Sequence, residues 1–197
     1  MPKKWGNLKM KSTKTRSIFN VVLVIAAFVT LTLTAAFLGA ATVGQQLQNI
    51  TVQSPNGQPA EIPYLGEKVI SIFYNDPDTA DIGDPLADAI KAKNYPSEKY
   101  IGMGIANCKD APMKPNSIIR WVLRKKSEKY KSTMLADVNH SIKDGWSLGD
   151  CNDTCVVLII GRDRKLKFVA SFKSQEEGRS YIQKVLPVLD KELGIKN

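Results

Sequence analysis

The chain has 197 residues, enough for one ordinary domain and a targeting segment. Its formal net charge is +9, but six of its 28 basic residues lie within positions 1–17, and the first acidic residue is Glu61. The rest of the chain is therefore close to charge balance. This distribution does not support binding to nucleic acid, and we expect no nucleic-acid partner.

The N-terminus combines a basic segment, 1–17, with an uncharged apolar segment, 18–43. As a helix, residues 18–43 would extend about 39 Å, longer than the roughly 30 Å hydrocarbon core of a bilayer. This length favours a single uncleaved membrane anchor. The small residues Gly39, Ala40 and Ala41 favour instead a signal peptide that is cleaved near Ala40 or Ala41.

Both interpretations give the same location for the remaining chain. Basic residues hold an N-terminus in the cytoplasm and direct the chain after the apolar segment across the membrane. Residues 1–17 are therefore predicted to be cytoplasmic, and 45–197 to form a domain outside the cytoplasm, periplasmic in a bacterium. That domain is free after cleavage, or is anchored in the inner membrane through 18–43.

The first elements of the domain are predicted from turn formers and β-branched residues. Segment 53–68 is rich in turn formers and is interpreted as a hairpin-like entry. The run VISIFY at 69–74 is typical of a buried strand. Asp84 is expected to be an N-cap, with Pro85 at the first helical position, so a helix is predicted over 86–94.

A second strand–helix unit comes next. YIGMGIAN at 100–107 predicts a strand. Asn116 or Ser117 is expected to cap a helix over 118–130, in which apolar residues share one face and basic residues cover the rest. TMLADV at 133–138 predicts the next strand.

The last third of the chain predicts a hairpin and a final helix. CVVLII at 155–160 is apolar on both faces, which indicates a central strand. A tight turn at 161–164 leads to a return strand at 165–172. The capping box SQEE at 174–177 begins a last helix, in which Pro187 is expected to cause a kink.

The order of these elements predicts the fold class. Alternating strands and helices imply parallel strands joined by right-handed crossovers, and the closing hairpin adds antiparallel strands. The sequence therefore predicts an α/β fold, a thioredoxin-like mixed sheet with flanking helices. An N-terminal hydrophobic helix is expected to precede it.

Two ordered series of residues carry a resemblance to known proteins. Asp137, Trp146 and the Arg-Asp-Arg turn at 162–164 resemble a segment of thioredoxin-like and peroxiredoxin-like proteins. The stretch from 105 to 148 resembles the YtfJ-type family of secreted, thioredoxin-like bacterial proteins, with matches at Asn107, Asp110, Ala111, Trp146 and Leu148. The resemblance covers about residues 45–193. It implies a bacterial envelope protein of thioredoxin fold but names no activity.

The sequence departs from redox-active thioredoxins at both catalytic elements. Those proteins carry Cys-x-x-Cys at the helix N-terminus after the first buried strand, where the helix dipole lowers a thiol pKa. Residues 75–86 occupy this place here and contain no cysteine. Thr154 or Cys155 stands where the fold usually has a cis-proline. We therefore expect a binding or accessory module, with enzymatic activity left open.

The three cysteines are the main candidate site. In this fold Cys108, Cys151 and Cys155 would gather at the customary active-site edge of the sheet, though from other loops. They can form one intramolecular bridge at most, Cys151–Cys155 or Cys108–Cys155, or act as buried apolar groups. The alternative function is an atypical thiol–disulfide oxidoreductase that uses Cys151 and Cys155, with Cys108 as resolving or structural partner.

Other candidate residues point to ligand binding more than to catalysis. Asp110 and Trp146 are the candidate ligand edge, although Trp146 is also suited to the core. His140 is the only histidine and has no zinc-ligand pattern around it. An acidic loop contains Asp76, Asp78, Asp81 and Asp84. It lacks the glycine and the terminal glutamate that a calcium-binding loop requires. We expect no metal and no cofactor, and a partner that is an envelope protein or a small ligand.

Overall fold

The computed structural model describes residues 40–110 and 116–195. The basic segment 1–17 and most of the hydrophobic segment 18–43 lie outside the described residues, so their predicted roles stay predictions. Among the residues described, no helix is both long and apolar enough to cross a bilayer. The described chain belongs to one unit that begins at Ala40.

Seven strands form one mixed sheet. They are, in chain order, β1 (Val52–Gln53), β2 (Pro59–Ala60), β3 (Val69–Asn75), β4 (Tyr100–Asn107), β5 (Thr133–Asp137), β6 (Cys155–Ile160) and β7 (Leu166–Phe172). Their order across the sheet is β2-β1-β5-β4-β3-β6-β7. Strand β3 pairs in parallel with β4, and β4 with β5, whereas β6 is antiparallel to both β3 and β7.

Five α-helices occur in the described residues. They are α1 (Asp84–Ala92), α2 (Asn116–Tyr130), α3 (Ser141–Gly145), α4 (Gln175–Ser180) and α5 (Ile182–Leu193). This arrangement confirms the predicted thioredoxin-like α/β fold, including the antiparallel hairpin of β6 and β7. It also confirms the hairpin-like entry, since β1 and β2 pair antiparallel.

Alternation along the strands divides the core between the two faces of the sheet. Ile70, Ile72 and Tyr74 of β3 point to one face, where they pack with Ile142 and Trp146. The side chains that point to the other face of the sheet pack against α1 and α5, or against α2. All six residues of β6 are buried, so this strand is covered on both faces of the sheet. This explains its unbroken apolar sequence.

The observed helix starts correct one prediction and add an element. Asp84 is the first residue of α1 rather than its N-cap, and Gly83 takes the cap position without a side-chain hydrogen bond. The Asp84 carboxylate instead binds the ammonium groups of Lys126 and Lys129. The five-residue helix α3 occupies a segment that the sequence predicted only as a short connection.

The C-terminal helical region is also divided differently from the prediction. Ser174 caps α4 by accepting a hydrogen bond from the amide of Glu177, as predicted from the capping box. The helical region breaks at Tyr181, and α5 continues through Pro187 without interruption. Helix α5 packs against β3, β6 and β7, so the last helix does lie across the sheet.

Candidate functional site at the strand ends

The carboxyl ends of the three parallel strands meet at one edge of the sheet. Strands β3, β4 and β5 end there at Asn75, Asn107 and Asp137. Strand β6 begins at the same edge, because Cys155 pairs with Asn75. Loops that follow parallel strands are the usual place for binding and catalytic groups in α/β proteins. This edge is therefore the candidate site.

Asp137 is the buried centre of the edge. Its Oδ2 accepts hydrogen bonds from the Tyr74 hydroxyl at 3.1 Å and from the Ile142 amide at 2.9 Å, and its Oδ1 accepts one from the Ser141 amide at 2.7 Å. Burial, with a further contribution from Asp137, raises the pKa of Tyr74 far above its ordinary value. The Tyr74 hydroxyl therefore stays protonated and donates a hydrogen bond to Asp137. Since both oxygens of the Asp137 carboxylate accept hydrogen bonds from β3 and α3, its role is to fix α3 against β3.

Asp110 forms a more accessible polar cluster beside this centre. The Nε2 of His140 lies 2.8 Å from its Oδ1, and the Nζ of Lys143 lies 3.6 Å from its Oδ2. Asn107 donates a hydrogen bond from its amide to Oδ2. Burial works to raise the pKa of Asp110, but Asn107, His140 and Lys143 outweigh it and hold the pKa below its usual range. Asp110 is thus ionised at neutral pH.

The three cysteines come to this edge as free thiols and on different faces. Cys151 is fully buried in the core that contains Trp146, whereas Cys155 is fully buried in the core beneath α1 and α5. Cys108 is half-buried beside the core of α2. The structure thus forms neither of the bridges predicted as possible from the sequence. The sheet separates Cys151 from Cys155, and Cys108 packs beside a different core cluster from that of Cys155.

The surroundings of the thiols disfavour their ionisation. Burial raises the pKa of Cys108 to about 11, with Asp137 adding to the effect and Arg120 opposing it. Burial likewise raises the pKa of Cys151 to about 11. It raises the pKa of Cys155 still further. A thiol must be a thiolate to act as a nucleophile, so these groups are poorly suited to thiol–disulfide exchange.

Trp146 lies in the core rather than at an open edge. Its side chain is 1 % exposed, and its indole Nε1 donates a hydrogen bond to the Gln48 carbonyl at 2.9 Å. No face of the ring is open to a ligand. Of the two residues assigned to a ligand edge, only Asp110 reaches the accessible part of this site.

The loop after β3 is organised by Asp76 where redox thioredoxins have their cysteine pair. The Asp76 carboxylate accepts hydrogen bonds from the amides of Asp78 at 2.8 Å and Asp153 at 3.3 Å. Its own amide donates to the Thr154 carbonyl. No cis peptide bond occurs between 40 and 110 or between 116 and 195. In the same residues, no group of three or more His, Cys, Asp or Glu side chains is placed to hold a metal ion.

Two features of this edge are not evident from the sequence alone. Tyr74 and Asp137 lie 63 positions apart, and nothing local marks them as partners. The sequence marks His140 only as a single histidine without a zinc-ligand pattern. Its αL conformation, with φ of 63°, places it at the start of α3 and beside Asp110. The signal that could have found it is the charged sequence His-Ser-Ile-Lys directly after a strand.

Solved structures of low sequence identity share this fold. A peroxiredoxin-like protein from Aquifex aeolicus has a TM-score of 0.55 at 15% identity, covering 79% of this chain and 89% of its own. The mitochondrial 2-Cys peroxiredoxin from Plasmodium falciparum has a TM-score of 0.53 at 11% identity, covering 79% and 99%. The exposed lipoprotein thioredoxin of Streptococcus pneumoniae has a TM-score of 0.50 at 9% identity, covering 70% and 100%.

Sequence comparison identifies the family. No curated protein sequence matches the chain. A family model described as "Bacterial protein of unknown function (YtfJ_HI0045)" matches residues 67–192, which include β3 to β7 and most of α5. The match covers more than half of the chain, and its range includes Asn107, Asp110 and Trp146, which carry the resemblance. The chain therefore belongs to the YtfJ family of bacterial proteins.

Proposed function

We propose that this protein is a thioredoxin-fold module of the bacterial cell envelope that binds a protein or small ligand without thiol exchange. The observation that carries the proposal is the state of the thiols at the strand-end edge: Cys151 and Cys155 are fully buried, and burial raises the pKa of all three cysteines. The absence of Cys-x-x-Cys from the sequence supports the same conclusion.

The proposed location rests on the N-terminal sequence. Six basic residues before the uncharged segment 18–43 direct the rest of the chain across a membrane. The described unit begins at Ala40, beside the proposed cleavage position, and the Ala41 amide already donates to the Ser147 carbonyl at 2.8 Å. We place the domain in the periplasm, either free or held at the inner membrane by 18–43.

The proposed contact surface for a partner is the cluster of Asp110, His140 and Lys143. Their side chains are 17 %, 13 % and 21 % exposed, so each is held in place by its neighbours and still reaches solvent. Fixed charges of both signs suit recognition of a polar or zwitterionic group more than chemistry on it.

The alternative function is an atypical thiol–disulfide oxidoreductase that uses Cys151 and Cys155. Cys108 and Cys151 both lie within electrostatic influence of Asp137, which places two thiols at the customary edge. Such an enzyme would have to bring Cys151 and Cys155 to the same side of the sheet and lower their pKa values. Cys108 would then be the resolving or structural thiol.

Counting thiols by mass spectrometry separates the two functions. The native protein is alkylated before and after graded dithiothreitol and is compared with protein unfolded in urea. We expect Cys151 and Cys155 to stay unmodified until unfolding, and the half-buried Cys108 to react slowly. Cys108→Ser is the matched control and should remove the slow native reaction. One fast-reacting thiol that disappears in Cys151→Ser or Cys155→Ser would contradict the proposed function.

A further inference from the structure

A cavity of about 540 Å³ lies between the sheet and helices α1 and α2, away from the strand-end cluster of Asp110. This volume falls within the range of small-molecule binding sites. Most of its lining is apolar and comes from both helices and from the sheet, including Phe73, Ala87, Ile90, Leu123 and Met134.

Two of the β4 residues that face the helices are glycines, and the side chains of Tyr100 and Met134 lie over them. Gly102 and Gly104 are two positions apart, so both face the same side of the sheet as Ala106. A Cβ on Gly102 would lie 3.1 Å from the Tyr100 hydroxyl oxygen, and one on Gly104 would lie 2.6 Å from the Met134 sulfur, so these two side chains form the floor of the cavity over β4. The flexible Met134 thioether can shift to follow a narrow, unbranched acyl chain more easily than a bulky ring system.

Polar contacts above this floor hold α1 and α2 together. Lys126 and Lys129 bind the Asp84 carboxylate, and the Nζ of Lys91 donates to the Lys129 carbonyl at 2.8 Å. Lys126 and Lys129 outweigh the effect of burial and hold the pKa of Asp84 below its usual value, so this carboxylate stays ionised. The two helices that enclose the cavity are therefore joined to each other by polar groups.

A buried pair of hydroxyl groups marks one part of the floor. Ser71 is 0 % exposed, and its hydroxyl lies 2.6 Å from that of Tyr100. One hydrogen bond joins the pair and uses one of their two protons, and the described residues offer the other proton no acceptor. Both oxygens line the space over Gly102, since a Cβ there would lie 3.1 Å from the Tyr100 oxygen. The cavity thus contains an unused donor in an apolar setting.

The charged groups around the cavity are mostly cationic. Four lysines line it, against two carboxylates: Lys68, Lys91, Lys126 and Lys131, with Asp76 and Asp84. Both carboxylates are engaged, Asp76 by backbone amides and Asp84 by Lys126 and Lys129. Neither Lys68 nor Lys91 pairs with a carboxylate within the described ranges; Lys68 binds the Ser97 carbonyl at 2.9 Å.

We propose that this cavity binds a single-chain amphipathic anion, a long-chain fatty acid or similar acyl carboxylate. The acyl chain lies beneath α1 and α2, against Met134 and the apolar residues of the two helices, and the carboxylate faces Lys68 or Lys91. Apolar lining provides the binding free energy, and the lysines select for negative charge. The inference rests on the proposed binding function and adds a binding site that is separate from the cluster of Asp110, His140 and Lys143. Its failure would leave the thiol-counting result untouched.

The test uses residues 40–197, which form one unit with a core on both faces of the sheet. Fluorescent cis-parinaric acid is titrated, and is then displaced by palmitate or by hexadecanol, which has the same chain without the charge. Ala87→Leu fills the cavity from α1. Ala89→Leu makes the same change on α1 at a position that does not line the cavity. Thermal unfolding of each variant shows that the fold is kept.

We expect saturable binding, with palmitate displacing the probe at least about tenfold better than hexadecanol. Ala87→Leu should weaken binding about tenfold or more and keep or raise the melting temperature, because it fills an empty space. Ala89→Leu should bind within about twofold of the parent. The absence of saturable binding, or an equal loss of affinity in Ala87→Leu and Ala89→Leu, would contradict the proposed site. Equal displacement by palmitate and hexadecanol would overturn the anionic ligand.

Discussion

Replacing Asp137 with alanine is expected to lower the free energy of unfolding by about 3 kcal/mol or more. The change leaves the Tyr74 hydroxyl and the amides of Ser141 and Ile142 without their acceptor in a buried place. A buried donor without a partner costs about 1–3 kcal/mol, and more when the lost acceptor was charged. Urea unfolding followed by circular dichroism measures the loss.

The matched variant for this position is Asp137→Asn. Its single amide oxygen can still accept from the Tyr74 hydroxyl and the Ile142 amide, but its NH2 group then faces the Ser141 amide without an acceptor. We therefore expect a smaller loss than for alanine, about 1–2 kcal/mol. A similar stability for Asp137→Ala and the unaltered protein would contradict the description of Asp137 as the group that fixes α3 against β3.

The second large effect is expected for Trp146→Ala. The ring is 1 % exposed and is among the largest fully buried side chains described. Truncation of a buried tryptophan typically costs about 3–5 kcal/mol, through lost burial and the cavity left behind. It also removes the donor to the Gln48 carbonyl. The same urea experiment applies, and near-ultraviolet circular dichroism should report the loss of a fixed indole.

The chain provides its own control for this change. Trp121 on α2 is 54 % exposed, so Trp121→Ala should change the free energy of unfolding by no more than about 0.5–1 kcal/mol. Trp146→Phe keeps most of the buried area and should fall between the two alanine variants. Equal effects of Trp121→Ala and Trp146→Ala would mean that Trp146 does not lie in the core.

The sheet was predictable because its main strands are short apolar runs bounded by turn formers. VISIFY at 69–74 and CVVLII at 155–160 became β3 and β6 with boundaries that differ by at most one residue. Helix α3 was not predictable from periodicity. It spans five residues and begins where the Asp137 carboxylate accepts the amides of Ser141 and Ile142, a contact that depends on where β5 ends.

The site was only partly predictable. The sequence placed the three cysteines near one edge of the sheet but could not assign them to faces. Cys155 takes its face from the alternation of β6, whereas Cys151 lies in a turn that alternation does not govern. The cavity had only an indirect signal in the sequence: Gly102 and Gly104, two positions apart in a strand, mark a place of close packing, where Tyr100 and Met134 lie over β4. The helices that enclose it could not be placed from that pattern alone.

The most direct test of a thioredoxin fold without thiol chemistry is the pH dependence of cysteine alkylation. The rate of iodoacetamide labelling is measured from pH 6 to pH 11 on the native protein, and each cysteine is followed separately by peptide mass mapping. Because the thiolate is the reacting species, the rate depends on the pKa of each thiol. We expect labelling of Cys108 to keep rising beyond pH 9, consistent with a pKa of about 11. A plateau below pH 7 for any of the three cysteines would reveal a reactive thiolate and would contradict the proposed function.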